Sequence, residues 1–263
     1  MSDLYNSINY QAPIKYIFSR YIREYDISKA NINILYKKGV IDDNTFSRLL
    51  RSSREERQIE IGLMEKHDNT IYSILSEGII EAKKWLFESN NLEDKDILAI
   101  RNDAVFIIDK QLAHTSFDNI NFMNKNTYTS FVCVGKSPIS VFYRSDKISE
   151  QEFIDTKGLG KKSLLHVDYM TDFIVYIINQ MEQGDASTAI SILTDVYKQY
   201  VSLNMDIGYY REYNSDSSYK ILNSEYRILD AYDKDKYSID ISYNMNILRE
   251  LYSYIAAIYF SNK

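Results

Sequence analysis

Two stretches of the chain place acidic side chains where they could bind a metal ion, and the first is a short hairpin pattern. Apolar, β-favouring runs at 97–100 and 104–108 flank Arg101, Asn102 and Asp103. Asn and Asp tolerate the backbone angles of tight turns, so the pattern predicts strand, turn and returning strand. A carboxylate at the tip of such a hairpin is a suitable oxygen ligand for a divalent cation.

The second acidic position is Asp26, which directly precedes a predicted helix. Apolar residues recur at helical spacing between residues 27 and 35, and Gly39 can end the helix. Asp26 is therefore either the N-cap of this helix or the last residue of a short strand that leads into it. Of the two interpretations, helix capping is the more common role for Asp.

Three segments, in the same order along the chain, resemble motifs of palm-type DNA polymerases. Residues 25–31, with Asp26, look like the first palm motif, in which an Asp ends a strand and a helix follows. Residues 54–62 are similar to the fingers helix of family A enzymes, and residues 100–106, with Asp103, resemble the second acidic palm motif. The resemblance covers about a third of the chain.

The resemblance implies a nucleotidyltransferase-like protein that acts on nucleic acid. Asp26 and Asp103 would be the catalytic carboxylates and would bind two Mg²⁺ or Mn²⁺ ions. Arg54 and Arg57 would bind the incoming triphosphate. Asn31 stands where a Glu or Tyr usually contacts the sugar, and Arg101 stands where family B enzymes carry a second Asp, so the pattern is incomplete at both positions.

Arginines recur at a spacing of three across the fingers-like segment, which predicts one basic helical face that ends at Gly62. The basic residues are Arg51, Arg54 and Arg57, and the interleaved acidic residues are Glu55, Glu56 and Glu60. Because oppositely charged side chains three or four residues apart can pair, a solvated, salt-bridged helix is favoured over a phosphate clamp.

Two further segments offer nucleic-acid-binding residues. Lys157, Lys161 and Lys162 could follow the backbone of a template–primer duplex, although a linker or turn is the favoured interpretation of residues 155–162. In the loop at 206–215, Tyr209, Tyr210 and Arg211 could stack on bases or bind a phosphate. In a chain with 24 tyrosines, ordinary packing is the favoured explanation for them.

The coarse pattern predicts an α+β fold. We expect a helical N-terminal third, with helix-like spacing at 10–24 and an amphipathic helix at 71–87, then an antiparallel sheet over 96–143 with a palm-like hairpin, and a helical C-terminal part. The corresponding regions are an α+β region at 1–145, a linker at 146–163 and a helical region at 164–263, unless the chain forms one continuous domain.

Composition narrows the classes of function. No apolar run approaches the roughly 20 residues of a membrane span, no secretory signal is visible, and the single Cys133 excludes an internal disulfide. His67, His114 and His166 show no zinc-type spacing. We therefore expect a cytoplasmic protein without a membrane partner. The bias towards Tyr, Ile, Asn and Lys is typical of an AT-rich genome, such as those of some bacteria and their phages.

The net charge of −6 argues mildly against a surface dominated by nucleic-acid contacts. Whether the chain is an enzyme therefore stays open. One alternative is a catalytically inactive phage protein that binds a host or phage replication, transcription or defence protein, or a second copy of itself, through a helix at 241–260. Another is a nucleic-acid binder without catalysis.

Overall fold

The computed structural model divides the chain into two compact units. The first comprises residues 1–14 and 20–128, and the second comprises residues 15–19 and 129–263. The structure describes residues 3–134, 139–146, 151–157, 176–177, 179–181, 183–202, 204, 249, 252–253 and 256. Each unit combines helices with antiparallel strands, which confirms the predicted α+β class.

A six-stranded antiparallel sheet forms the centre of the first unit. Its strands are β1 (Asn9–Gln11), β3 (Ile22–Ile27), β4 (Ile97–Arg101), β5 (Ala104–Ile108), β6 (Ser116–Phe117) and β7 (Ile120–Tyr128). Their order across the sheet is β1-β4-β5-β3-β7-β6. The strand that carries Asp26 is therefore hydrogen-bonded to the hairpin that carries Asp103.

Four helices connect β3 to β4: α1 (Ala30–Lys37), α2 (Asp43–Arg51), α3 (Arg54–His67) and α4 (Thr70–Ser89). Alternate side chains of the sheet, such as Tyr25, Ile27, Val105 and Ile107, are buried in one cluster with apolar side chains of these helices. The predicted helix after Asp26 and the amphipathic helix at 71–87 are both present. Gly39 ends the first with a φ of 70°, as its position predicts.

The predicted hairpin has the expected bounds and turn. Arg101 pairs with Ala104, which leaves Asn102 and Asp103 as the two residues of the turn. Asn102 adopts a positive φ of 56°, and its N–H donates to the carbonyl of Ile8 at 2.7 Å. Because Asn tolerates the left-handed region better than most residues, the local sequence suits this turn.

Three local predictions were wrong. Residues 10–24 form short strands rather than a helix, because a short apolar run satisfies either period and sheet pairing decides between them. Gly62 lies inside α3 and does not interrupt it. Arg51 is the last residue of α2, and the break at Ser52 and Ser53 separates it from the helix of Arg54 and Arg57.

The sheet prediction also needs adjustment after the hairpin. β-Branched and aromatic residues predict separate strands at 119–122 and 127–134, whereas the structure has one strand, β7, through Tyr128 and then a separate strand, β8 (Ser130–Val134). The polar residues Asn124, Lys125 and Asn126 concealed the continuity, because they interrupt the apolar pattern.

The second unit contains a four-stranded antiparallel sheet and a helix. Its strands are β2 (Tyr16–Ile17), β8, β9 (Ile139–Asp146) and β10 (Gln151–Lys157), in the order β10-β9-β8-β2, and its helix is α5 (Ala186–Val201). Strand β10 falls within residues predicted as a linker. Most of the predicted helices at 164–181 and 241–260 lie outside the described residues. In the described part of the chain, no helix has the length and apolarity that crossing a membrane requires.

Two glycines allow the packing of α1 against α4 to be tested. A Cβ at Gly78 would collide with Cγ2 of the buried Ile34, whereas a Cβ at Gly62 would meet no atom within 4 Å. Although Ala gains about 1 kcal/mol of helix propensity over Gly, overpacking costs about 1–3 kcal/mol. We expect Gly78→Ala to lower the free energy of unfolding in urea titrations.

Gly62→Ala is the matched control for this prediction. It makes the same chemical change in a neighbouring helix without the collision, and we expect it to raise the free energy of unfolding by about 0.5–1 kcal/mol. Equal stabilisation by both substitutions would show that α1 and α4 do not pack as described.

Candidate active site

The antiparallel register of β3 and β5 brings Asp26 and Asp103 together. Tyr25 pairs with Val105, so Asp26, the next residue of β3, reaches the end of β5 where the hairpin turn begins. The two carboxyl groups are in hydrogen-bonding contact, with Asp103 as the donor when it is protonated. Asp26 does not cap a helix, because it belongs to β3 and the N-cap of α1 is Lys29.

The pKa of the Asp103 carboxyl group is shifted by its position in this site. Burial, and then the negative charge and hydrogen bond of Asp26, raise the pKa of Asp103 to about 6. The positive charge of Lys125 acts in the opposite direction without cancelling the rise. Two carboxylates in one partly buried site cannot both ionise easily, which is the usual cause of such a shift. With this pKa, the Asp103 carboxyl group changes between its protonated and ionised forms near pH 6.

Lys125 of β7 and Glu24 of β3 complete an ion-paired cluster around Asp26. The Lys125 ammonium lies 3.4 Å from Oδ2 of Asp26 and 3.6 Å from Oε1 of Glu24. Burial favours the neutral form of Lys125, but the charges of Glu24 and then Asp26 outweigh it, so the pKa of Lys125 is raised. Lys125 is therefore held in its charged form beside the carboxylate pair.

The second carboxylate oxygen of Glu24 is also held by hydrogen bonds. It is only 2% exposed, and its Oε2 accepts hydrogen bonds from the Tyr128 hydroxyl at 2.9 Å and from Asn126 Nδ2 at 2.7 Å. Glu24 and Asp26 are two residues apart on one strand and so share a face of the sheet. The buried carboxylate with its donors is a rigid anchor for Lys125.

Lys125 lies at a β-bulge in β7. Glu24 pairs with Asn126 and Tyr25 pairs with Asn124, which leaves Lys125 as an extra residue in β7. A bulge breaks the strict alternation of side chains and can direct one of them towards a site. Here it accompanies a lysine that contacts two carboxylates of the neighbouring strand.

The residues of the first unit that the polymerase resemblance singled out all line one cavity of about 330 Å³. Asp26 and Asp103 share it with Asn31 of α1 and with Arg54 and Arg57 of α3. Lys29 and Lys125 also contribute, so four basic and two acidic side chains surround the space. A cavity of this size and charge suits a small polyanion better than an apolar ligand.

The arginines are not neutralised in the way that their spacing predicted. Glu60 binds Arg48 of α2 through both carboxylate oxygens, and Glu56 accepts from the backbone N–H of Ser53 as part of a capping box. Arg57 donates to the carbonyl of Ser52. Within the described residues the Arg54 side chain makes no hydrogen bond or ion pair, and it remains available to a ligand.

The N-terminal segment 7–11 supports the hairpin turn. Buried Lys83 of α4 donates to the Ser7 carbonyl at 2.5 Å, and Arg101 donates to the Tyr10 carbonyl at 2.6 Å and to Gln11 Oε1 at 2.8 Å. Burial lowers the pKa of Lys83 to about 8, against the charge of Asp103. The turn that presents Asp103 is thus held by residues distant in sequence.

Sequence reasoning missed Glu24, Lys83 and Lys125. Glu24 could have been found, since it precedes Asp26 by two residues and a strand therefore presents both on one face. Lys83 could have been flagged because it lies four residues after Ile79 on the buried stripe of α4. Lys125 carried no comparable signal, because the bulge that positions it exists only in the pairing with β3.

Of the predicted nucleic-acid-binding residues, Lys157 alone lies within the described part of the chain. Lys157 ends β10 in the second unit. Lys161, Lys162, Tyr209, Tyr210 and Arg211 lie outside the described residues, and their roles stay predictions.

The carboxylate pair fits a divalent cation. Mg²⁺ is commonly bound by one or two carboxylates together with substrate phosphates, and Asp26 and Asp103 meet at an accessible cavity. Among the side chains that the structure describes, no group of three or more His, Cys, Asp or Glu is arranged to hold a metal ion. The protein itself therefore offers two carboxylates, which leaves coordination positions for phosphate oxygens and water.

The raised pKa of Asp103 predicts a pH-dependent effect on stability. Asp103 takes up its proton near pH 6 in the native state and near pH 3.8 in the unfolded chain. The stability of the fold therefore falls as the pH rises from about 4 to 6, and it stays lower above pH 6. After a discount for partial exposure, we expect Asp103→Asn to raise the free energy of unfolding by about 1–2 kcal/mol at pH 7.5. The gain should shrink as the pH falls from 6 to 4.

Urea titrations of both proteins at pH 7.5, 6 and 4.5, without divalent cations, measure this difference. Asp94→Asn removes the same charge from an exposed position outside the cavity and should leave the pH dependence unchanged. An Asp103→Asn protein that is destabilised equally at all three pH values would contradict the proximity of the two carboxyl groups.

Comparison with known proteins indicates that the chain comes from a bacteriophage. Residues 1–256 match the model of a family described as "Bacteriophage PBS1 gene 130 protein", and no curated protein matches the sequence. The match confirms the phage origin that the composition indicated, and the family description gives no activity. Because it spans almost the entire sequence, the chain belongs to the bacteriophage PBS1 gene 130 protein family.

Proposed function

We propose that this phage protein is a palm-type nucleotidyltransferase-like protein that acts on nucleic acid with Asp26 and Asp103 as its metal-binding carboxylates. The observation that carries the proposal is that Asp26 and Asp103, 77 positions apart in the sequence (103 minus 26), meet in one cavity with Arg54 and Arg57. A chance pair of surface carboxylates would not be expected to share a cavity with two arginines on a neighbouring helix.

The carboxylate pair would bind Mg²⁺ or Mn²⁺, and the bound ion would polarise phosphate oxygens and favour deprotonation of an attacking hydroxyl group. Asp103 must be ionised to bind the cation. Since its pKa is raised to about 6, it is mostly ionised at pH 7.5 and protonated under mildly acidic conditions. Asp26 is ion-paired with Lys125, whose ammonium lies 3.4 Å from its Oδ2.

The basic side of the cavity would bind a triphosphate. Arg54 has no partner among the described residues, and Arg57 is anchored to Ser52. The first residues of α1 also line the cavity, and no side chain caps this helix. Unsatisfied N–H groups and the positive end of a helix dipole favour an anion at this position. Together these groups would orient the phosphates relative to the carboxylates.

Primer extension with nucleoside triphosphates in Mg²⁺ and in Mn²⁺ tests the proposal. We expect Asp26→Ala and Asp103→Ala each to lower activity on the order of 10²-fold or more, because a charge-stabilising group is removed from the reacting centre. Asp94→Ala, at an exposed position outside the cavity, should retain full activity.

Activity that survives Asp103→Ala would exclude this role for the carboxylate pair. If the folded wild-type protein shows no transfer with either metal, the catalytically inactive interaction protein becomes the better explanation. Its partner would then be sought among host and phage replication, transcription and defence proteins.

The triphosphate-binding role of Arg54 can be tested apart from catalysis. We expect Arg54→Ala to weaken binding of a non-hydrolysable nucleoside triphosphate about tenfold in calorimetric titrations, because a charge-assisted hydrogen bond is lost. Arg51→Ala removes an exposed arginine only three residues away, at the end of α2 and outside the cavity. Equal weakening by both substitutions would indicate only long-range electrostatics.

A further inference from the structure

Lys125 places a fixed positive charge on one of the two carboxylates assigned to metal binding. Its ammonium contacts Oδ2 of Asp26 at 3.4 Å and Oε1 of Glu24 at 3.6 Å. In two-metal sites, two cations about 3.5–4 Å apart neutralise the carboxylates and the reacting phosphate. Here an ammonium already provides one of these positive charges.

The lysine is held there by the fold, although its side chain is 54% exposed. The buried Glu24 cannot turn away, because Tyr128 and Asn126 both donate to its Oε2. The extra residue in β7 is Lys125 itself, opposite the step from Glu24 to Tyr25. An exposed lysine that paired only by chance would have neither a buried anchor nor a bulge at its own position.

The local charge also matches a single cation. When all three carboxylates are ionised, Glu24, Asp26 and Asp103 carry three negative charges, and Lys125 neutralises one of them. Lys29, Arg54 and Arg57 also line the cavity, so the remaining two negative charges call for no more than one divalent cation. A second divalent ion would have to displace the ammonium from Asp26 or bind close to it, and the repulsion between the two would oppose this.

We propose that Lys125 takes the place of the second metal ion, so that the Asp26–Asp103 pair binds one divalent cation. Lys125 is then a positioning residue that fixes and neutralises Asp26. This inference rests on the proposed function, because it assumes that the carboxylate pair binds a metal ion. It differs from the two-metal arrangement that the polymerase resemblance implies.

Titration of the full-length chain with Mn²⁺ at pH 7.5, with free Mn²⁺ measured by electron paramagnetic resonance, tests the inference without any activity assay. We expect one Mn²⁺ per wild-type chain. Because an ammonium beside the cation is removed, Lys125→Met should bind Mn²⁺ about tenfold more tightly. Lys125→Arg keeps the charge and should stay within about twofold of the wild type.

Lys38→Met is the matched control, since Lys38 pairs with Glu81 outside the cavity and its loss should leave Mn²⁺ affinity unchanged. A purely structural role for Lys125 predicts weaker Mn²⁺ binding in Lys125→Met, the opposite of our expectation. Weaker or unchanged binding by the folded variant, or two Mn²⁺ ions in the wild type, would overturn the inference and leave the proposed function intact. No Mn²⁺ binding by the wild type would remove both.

Discussion

The burial of Asp103 beside the Asp26 carboxylate is the physical constraint at the centre of the site in the first unit. Two like charges in a partly buried site lower the stability of the fold unless surrounding groups compensate for them. Burial, and then the charge of Asp26, raise the pKa of Asp103 to about 6, so the surrounding groups do not offset them fully. Proteins retain such unfavourable arrangements mainly where a ligand restores the balance, and a cation is the ligand that two carboxylates favour.

Backbone pairing holds the two carboxylates together. β3 and β5 are adjacent in the sheet, and their register determines that the end of β3 meets the turn of the hairpin. The turn is fixed in addition through the N-terminal segment 7–11, whose carbonyl groups accept from Lys83, Arg101 and the N–H of Asn102. Charged side chains on rigid strands and a tethered turn lose little conformational entropy when they bind a ligand.

The charges around the pair are arranged asymmetrically. Glu24 and Lys125 lie beside Asp26, whereas Arg54 and Arg57 line the same cavity from α3. A phosphate-bearing ligand in this cavity would meet basic side chains as well as the carboxylate pair. The basic lining is the main reason to prefer a phosphate-bearing ligand.

Local sequence patterns were enough to predict the elements whose signals lie within a short window. The hairpin at 97–108, the helix that ends at Gly39 and the amphipathic helix at 71–87 each follow from side-chain periodicity and turn residues within one short window. The motif comparison also singled out Asp26, Asp103, Arg54, Arg57 and Asn31, and all five line one cavity. Their roles stay predictions until metal and nucleotide binding are measured.

Which residues surround the carboxylate pair depends on contacts between segments that are distant in the sequence. Residues 10–24 became strands because partners distant in sequence, such as β4 and β8, were available for pairing. The bulge at Lys125 and the burial of Glu24 likewise depend on the register between β7 and β3, strands separated by nearly 100 positions. A local window contains no information about such a register, and so the sequence located the two carboxylates but not the lysine that contacts Asp26.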